Sequence, residues 1–203
     1  DEFNKMVERI HESEAALAEE AREDALTNLS NRRAFNETLD GAFARLRRLK
    51  DPVVLLSLDI DHFKRINDNY GHDVGDEVLR NLAQILRSCT REVDRVFRVG
   101  GEEFAVLVAE TDALGAQIAA ERIRAAIASH AVVTSQGPLR ITSSVGVALA
   151  TRSMRKDELL KAADAALYRA KAQGRNQVVL AEATEESGVT VLPVVTPSGA
   201  AQS

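Results

Sequence analysis

A β-hairpin is predicted at Gly100-Gly101-Glu102-Glu103-Phe104, where two glycines separate two strand-like segments. Apolar side chains fill much of residues 96–99 before the glycines and alternate with other residues over 104–108 after them. A two-residue turn between such segments needs positive φ angles, which glycine adopts at little cost. The glycines also leave bare backbone at the tip, beside two adjacent carboxylates. We therefore expect a hairpin that a phosphate-bearing ligand approaches while the carboxylates hold a cation.

The composition is that of a soluble globular domain. The chain has 203 residues, a net charge of −5 and 45% hydrophobic residues, which suits one domain with tails. Mild acidity argues against a nucleic acid partner, since nucleic acids favour a basic face. The single Cys89 excludes a disulfide framework and a cysteine-based zinc site. No apolar run approaches the roughly 18 residues of a membrane span, and no secretory signal opens the chain, so we expect a cytoplasmic location.

The two ends of the chain differ in composition from its centre. Residues 1–23 are highly charged, with apolar residues at Phe3, Met6, Ile10 and Leu17 that partly fit a heptad pattern. We expect a linker or signalling helix that continues from an upstream segment; a solvated helix packed on its own domain is the alternative. Residues 24–181 form the expected globular domain. Residues 182–203 are rich in small residues and proline and predict a disordered tail.

Strands and helices mix along the central part. Near-continuous apolar residues over 52–58 predict a strand buried on both faces, and helical spacing of apolar residues predicts several helices. The helices are expected at Arg32–Leu49 with Ser30 or Asn31 as N-cap, at Asp73–Ser88, at Ala116–Ser129 and at Lys156–Ala172. Further strands are expected at Leu139–Leu149 and 177–180, and a turn at Asn67–Asp73. This mixture predicts an α/β or α+β fold with a single sheet and helices on its faces.

A second acidic pair lies where the buried strand ends. Asp59 and Asp61 share strand parity, so both face one side if the strand continues that far. The exit end of a central strand is where open α/β sheets bind ligands, and Mg²⁺ prefers carboxylates plus substrate phosphates. Glu102 and Glu103 point to opposite faces if both lie in regular strand, so only one would join Asp59. The sequence leaves open which one.

The motifs resemble one known family throughout the central part. Residues 59–68, 71–76 and 100–104 resemble the GGDEF domains of bacterial diguanylate cyclases, with the hairpin motif present as Gly-Gly-Glu-Glu-Phe. Residues 24–33, 144–148, 163–171 and 174–176 resemble the opening motif, late strand, closing helix and closing turn of that family. The match spans about residues 24–180. It implies one central, mostly antiparallel sheet flanked by helices, similar to nucleotidyl cyclases and polymerase palm domains, and makes residues 24–181 the catalytic domain.

The resemblance implies a nucleotidyltransferase. Such domains condense two GTP into cyclic di-GMP, with release of two pyrophosphates, by attack of a 3′-hydroxyl on an α-phosphate across a homodimer. The implied cofactor is Mg²⁺, with Mn²⁺ as a possible substitute. An upstream sensor is the implied partner in a full-length protein, whose anchoring in the inner membrane stays open. Nucleic acid is not an expected partner.

The resemblance also implies roles for single residues. Asp59, the Ile60 carbonyl, Glu102 and Glu103 would bind metal, with Glu102 acting on the ribose 3′-hydroxyl and Lys64 stabilising charge on the phosphates. The implied substrate-binding residues are Phe63, Asn67, His72, Asp76, Gly100, Gly101, Lys171 and Arg175. Arg91 and Asp94 have the spacing of the family's inhibitory product site. Two alternatives are a non-catalytic nucleotide-binding module and a polymerase-type transferase; the missing basic stripe disfavours the latter.

Overall fold

The computed structural model describes residues 22–109 and 111–182. These residues form five helices: α1 (Arg32–Leu49), α2 (Phe63–Tyr70), α3 (His72–Cys89), α4 (Ala113–Ser129) and α5 (Lys156–Ala172). Seven strands accompany them: β1 (Val53–Ile60), β2 (Arg95–Arg98), β3 (Glu103–Val108), β4 (Ala131–Thr134), β5 (Gly137–Arg140), β6 (Ser143–Ala150) and β7 (Val178–Leu180). The predicted helix at residues 1–23 and the predicted tail at 182–203 lie almost wholly outside this range.

One central sheet organises the domain. Its strand order is β2-β3-β1-β6-β7, and every neighbouring pair is antiparallel except β6 and β7. The prediction of a single, mostly antiparallel sheet is therefore confirmed. In the described residues no helix is long and apolar enough to cross a bilayer.

Helices cover both faces of the sheet because β1 is apolar on both sides. Leu55 packs with residues of α1 and α5, whereas Leu56 packs with residues of α3 and α4. This alternation follows from the two-residue period of a strand. Asp59 has the parity of Leu55, so its side chain lies on the face of α1 and α5.

The predicted bounds of two helices are confirmed. Helix α1 begins after Asn31, whose side chain accepts a hydrogen bond from the amide of Ala34 at 3.1 Å, as an N-cap does. Helix α5 spans Lys156–Ala172 as predicted.

The prediction of a two-residue turn at Gly100 and Gly101 was wrong. The β2–β3 connection runs over residues 99–102, and the Glu103 carbonyl accepts the amides of Val99 at 2.9 Å and Gly100 at 3.3 Å. Neither Gly100 nor Gly101 has a positive φ. Glu102 therefore belongs to the loop and not to the strand, and β3 begins at Glu103.

The turn predicted at Asn67–Asp73 is mostly helix. Helix α2 continues to Tyr70, and α3 begins at His72, so only Gly71 separates them, with φ 85°. Apolar Phe63 and Ile66 anchor α2 on the core, while its polar residues lie on the outer side. The polar residues have a composition typical of turns, so sequence reasoning overlooked the helical spacing of Phe63 and Ile66.

The single strand predicted at Leu139–Leu149 is two strands. β5 pairs with β4 as a separate hairpin, with Val132 opposite Leu139, whereas β6 pairs with β1. The chain changes partner at residues 141–142. β4 was not predicted, although Gly137, with φ 104°, marks the turn that joins it to β5.

Candidate functional site

The β2–β3 loop is held by two arginines. Arg98 donates to the Gly101 carbonyl from Nη2 at 2.7 Å and Nε at 3.1 Å, and its Nη1 bonds both oxygens of Asp24 at 2.9 and 3.1 Å. Arg32 Nε donates to the Val99 carbonyl. The loop that carries Glu102 is therefore fixed by the segment before α1 and by α1 itself.

Gly100 makes room for a carboxylate. A Cβ at this position would lie 2.2 Å from Glu103 Oε2, whereas one at Gly101 would meet no atom within 4 Å. The first glycine thus accommodates the Glu103 side chain, and the second leaves open backbone at the loop tip.

Three acids lie at the exit end of β1. Asp59 is 6% exposed and lies directly opposite Glu103 in the antiparallel register, so both side chains share one face. Glu102 precedes β3, and alternation therefore does not direct it to the other face. Burial raises the pKa of Glu102, and the charge of Asp59 adds to this. The expectation that only one glutamate joins Asp59 assumed that both lie in regular strand, and Glu102 does not, because β3 begins at Glu103.

Burial and like charges dominate this end of the sheet. Burial raises the pKa of Asp59, and the charges of Glu103 and Asp61 add to this, while the Lys171 hydrogen bond and charge oppose it. Burial also raises the pKa of Glu102, with Asp59 adding to the effect. A cation would relieve this accumulation of negative charge.

Lys171 pairs with Asp59 in the described structure. Its Nζ lies 2.7 Å from Asp59 Oδ2, so the last turn of α5 reaches the exit of β1. The resemblance implied a phosphate contact for Lys171, and the lysine lies beside a residue implied to bind metal. Arg175 follows in the next turn and is exposed.

The donors at this end suit a hard cation. Carboxylates and the Ile60 carbonyl are oxygen ligands, which Mg²⁺ prefers over nitrogen and sulfur. Across residues 22–109 and 111–182, no three side chains of His, Cys, Asp or Glu come together as a preformed metal set. Mg²⁺ commonly uses one or two carboxylates and completes its shell with water and substrate phosphates. The residues fit that type of site.

A groove of about 300 Å³ borders this acidic end, beside Glu103. Its walls include Arg32, whose Nη2 lies 3.7 Å from Glu103 Oε2, and Asp164 of α5. Burial raises the pKa of Asp164, and the charge of Glu103 adds to this, while a hydrogen bond from Ser57 and the charge of Arg32 oppose it. The groove is thus an extension of the acidic end, lined by α1 and α5.

Asn67 contributes an unpaired acceptor between α2 and α3. Its Oδ1 is buried and has no hydrogen-bond partner, the one such side-chain atom in the described part of the chain. A Cβ at Gly75 would lie 2.0 Å from this oxygen. Buried polar atoms are normally paired, so an unpaired amide oxygen points to a missing donor.

The other residues implied at this end differ in exposure. Phe63 is 6% exposed and belongs to the hydrophobic core, where it supports α2. Lys64 and His72 are exposed, and Asp76 is half-buried in the first turns of α3. Two consecutive helices carry the polar residues of this group: Lys64 and Asn67 belong to α2, and His72 begins α3.

Arg91 and Asp94 lie at the other end of β2 from the hairpin loop. Asp94 is 7% exposed, and its oxygens accept the amides of Arg91 at 2.9 Å and Ala109 at 3.1 Å. The Arg91 side chain is exposed. A groove of about 350 Å³ nearby is lined by Val93 and Arg95 among others. Asp94 therefore fixes the backbone here, and Arg91 is the member that faces solvent.

Sequence reasoning did not find the contacts made by Arg98, Asp61 and Gly75 at the hairpin end of the sheet. Arg98 ends a strand that also begins with arginine, two positions before Gly100, and its place beside the hairpin motif was a usable signal. Asp61 shares the parity of Asp59, but its carboxylate accepts three hydrogen bonds from the protein. Gly75 gave no signal, because its close approach to Asn67 depends on how α2 packs on α3.

Comparisons with known proteins agree with this geometry. The family model described as diguanylate cyclase, GGDEF domain, matches residues 21–177. The diguanylate cyclase DgcS of Shewanella oneidensis is 42% identical over 153 residues, which cover 75% of this chain and 50% of DgcS. The chain thus spans about half the length of that relative.

Two solved structures are similar to the described fold. The coiled coil and GGDEF domain of DgcB from Caulobacter crescentus, in complex with c-di-GMP, has a TM-score of 0.76 at 34% identity and covers 89% of this chain and 96% of that one. The active GGEEF domain of a diguanylate cyclase from Vibrio cholerae has a TM-score of 0.71 at 38% identity and covers 77% and 99%. The sheet order, the acidic hairpin and the family match agree, and the chain belongs to the GGDEF-domain family of diguanylate cyclases.

Proposed function

We propose that this chain is a diguanylate cyclase that condenses two GTP into cyclic di-GMP and two pyrophosphates, with Mg²⁺ as cofactor. The observation that carries the proposal is that Asp59 lies opposite Glu103 in the sheet, next to the hairpin loop that carries Glu102, and pairs with Lys171. Relatives named as diguanylate cyclases support it. GTP is a cytoplasmic nucleotide, so the proposed activity assigns the domain to the cytoplasm.

The proposed reaction forms a bond between the 3′-oxygen of one GTP and the α-phosphorus of the other. The bond from that phosphorus to the bridging oxygen breaks, and pyrophosphate leaves. Glu102 takes or directs the 3′-hydroxyl proton. Phosphoryl transfer of this kind depends mainly on positioning and charge neutralisation. Bound Mg²⁺, held by Asp59, the Ile60 carbonyl and the glutamates, would supply charge neutralisation.

The remaining side chains bind the nucleotide in this proposal. Lys64, Lys171 and Arg175 neutralise phosphate charge, and the second glycine of the loop lets the nucleotide approach the backbone. Asn67 and Asp76 accept guanine N–H donors, and His72 contacts the nucleoside.

Catalysis in this proposal requires two chains. One domain presents one GTP, whereas the product joins two nucleotides through two equivalent bonds. Two copies related by a two-fold axis meet that requirement, since each then supplies the same surface to the other.

The test is to incubate purified protein with GTP and Mg²⁺ and to measure cyclic di-GMP by chromatography. We expect product from the wild type and none from Glu102→Ala, with an unchanged circular dichroism spectrum. Asp157→Ala is the matched control, since it removes an exposed acid in the first turn of α5, at the end opposite Lys171, and should keep full activity. Full activity of Glu102→Ala would remove Glu102 from the mechanism.

We also propose that Arg91 and Asp94 form the product site, in which Arg91 binds the product and Asp94 holds the Arg91 backbone in place. The exposed Arg91 guanidinium can grip a phosphate or stack on guanine, and the solved DgcB domain is in complex with c-di-GMP. Calorimetric titration of cyclic di-GMP into wild type and Arg91→Ala tests this site. We expect weaker binding by the variant, and equal binding by both proteins would reject Arg91.

A further inference from the structure

The turn after α5 has an unusual backbone. Gly174, Arg175 and Asn176 have φ angles of 118°, 64° and 45° in succession. Glycine adopts positive φ readily, but residues with side chains do so seldom. Such conformations persist where surrounding contacts fix them. The turn carries Arg175 and directly follows the helix end that carries Lys171.

Asp61 holds this turn from the sheet. Its carboxylate is 6% exposed, and Oδ2 accepts the backbone amide of Asn176 at 3.0 Å. Thr142 Oγ1 donates to the same oxygen at 2.7 Å, and Ser144 Oγ donates to Oδ1 at 2.7 Å. The two hydroxyls orient the carboxylate, and the carboxylate in turn fixes the Asn176 amide.

A second contact holds the turn from α4. Arg124 Nη1 donates to Asn176 Oδ1 at 2.6 Å, and Arg124 is itself bound by Glu121 at 2.6 to 3.0 Å. Gln177 Nε2 donates to the Ala170 carbonyl at 2.8 Å. Asn176 is therefore fixed through its backbone to the sheet and through its side chain to α4.

We propose that Asp61 is a positioning residue for nucleotide binding. It fixes the 174–176 turn so that Arg175, which follows the helix end that carries Lys171, faces the triphosphate. Asp61 and Asp59 are two residues apart and bind consecutive parts of one segment, the end of α5 and the turn after it. Together they fix where the proposed phosphate-binding residues Lys171 and Arg175 lie relative to the proposed metal-binding residue Asp59. This inference rests on the proposed function.

Asp61→Ala is the sharpest perturbation. An asparagine could still direct its oxygen to the Asn176 amide and its nitrogen to the Ser144 hydroxyl, which can accept, and would keep the turn bonded. Alanine removes both acceptor oxygens, so the Asn176 amide loses its partner on the sheet.

We expect Asp61→Ala to raise the KM for GTP about tenfold, the equivalent of one lost hydrogen bond to a charged group, with little change in kcat. Arg175→Ala should raise the KM similarly, and the double variant should be no worse than Arg175→Ala alone. An additive effect would overturn the proposal, because Asp61 would then act independently of Arg175. Ser88→Ala is the control: it removes a side-chain hydrogen bond at the C-terminal end of α3, and we expect its KM within about twofold of wild type. A tenfold rise there would indicate general loosening and also overturn the proposal.

Hydrogen exchange without nucleotide separates this inference from the proposed activity. In Asp61→Ala the amide of Asn176 should exchange faster, while the amides within β1 keep their rates. Unchanged exchange at Asn176 would overturn the positioning role even if the enzyme is active. If Asp61→Ala does not fold, Thr142→Val provides the second variant. It removes a hydroxyl that orients the Asp61 carboxylate, and an unchanged KM and Asn176 exchange rate there would reject the proposal.

Discussion

Gly75→Ala should damage nucleotide recognition without damaging the fold. Gly75 is buried in α3, and a Cβ there would lie 2.0 Å from Asn67 Oδ1 and 3.3 Å from Phe63 Cζ. Non-bonded heavy atoms prefer separations of about 3.5 Å, so the Asn67 carboxamide must move by more than about 1 Å. The proposed guanine contact would then be lost.

The two effects on stability oppose each other. Alanine stabilises a helix interior by about 0.5–1 kcal/mol relative to glycine. Forcing the end of the Asn67 side chain off its rotamer costs about 0.5–1.5 kcal/mol. The free energy of unfolding should therefore change by less than about 1 kcal/mol, while the loss of one hydrogen bond to the base lowers kcat/KM about tenfold.

The assay compares kcat/KM for GTP, from pyrophosphate release, with the midpoint of urea unfolding. Gly41→Ala is the matched control, because it adds the same methyl group inside α1, where the nearest atom is Arg45 Nη1 at 3.8 Å. That variant should keep wild-type kcat/KM. Gly75→Ala added to Asn67→Ala should cause no further loss. Wild-type kcat/KM in Gly75→Ala, or a full additional loss in the double variant, would refute the reasoning.

Two further predictions concern charged contacts around the hairpin and the exit of β1. Arg98→Ala should lower the free energy of unfolding by about 2 kcal/mol in urea, because it breaks a largely buried pair with Asp24. Burial raises the pKa of Asp24, but hydrogen bonds from Thr27 and Arg98 lower it overall. The stability that the Arg98–Asp24 pair contributes is therefore present above the pKa of the unfolded carboxyl and lost as the pH falls through the folded pKa. Unfolding curves of Arg98→Ala that keep the full acid dependence of the wild type would contradict this. Lys171→Ala should raise the KM for GTP about tenfold. It should not weaken Mg²⁺ binding to the free protein, because Lys171 competes with Mg²⁺ for Asp59. Calorimetry that shows weaker Mg²⁺ binding by the variant would reject that competition.

Local patterns predicted the elements whose signals are local. Helix α1 and helix α5 have helical apolar spacing, and α1 has a capping residue, so their bounds followed from the sequence. The buried strand β1 was predicted from its apolar run, though it ends at Ile60 and not at residue 58. The motifs at Asp59 and at the hairpin indicated the correct end of the sheet.

The features that the sequence did not predict depend on contacts between residues that are distant in sequence. The loop at Gly100 is shaped by Arg98 and Arg32, so turn propensity alone gave the wrong turn. Lys171 and Asp59 form an ion pair although they lie far apart in the sequence. Asp61 was grouped with Asp59 by parity, and only the packing of the 174–176 turn shows that its oxygens are already used.

Turnover measured against protein concentration tests the central claim most directly. The proposed cyclase joins two nucleotides held by two chains, so cyclic di-GMP formed per chain from GTP and Mg²⁺ should rise with protein concentration and level off once the protein is dimeric by light scattering. Glu102→Ala should form no product at the same concentrations. Absence of cyclic di-GMP from a demonstrably dimeric wild-type sample would contradict the account, as would activity per chain that stays constant while dimers dissociate.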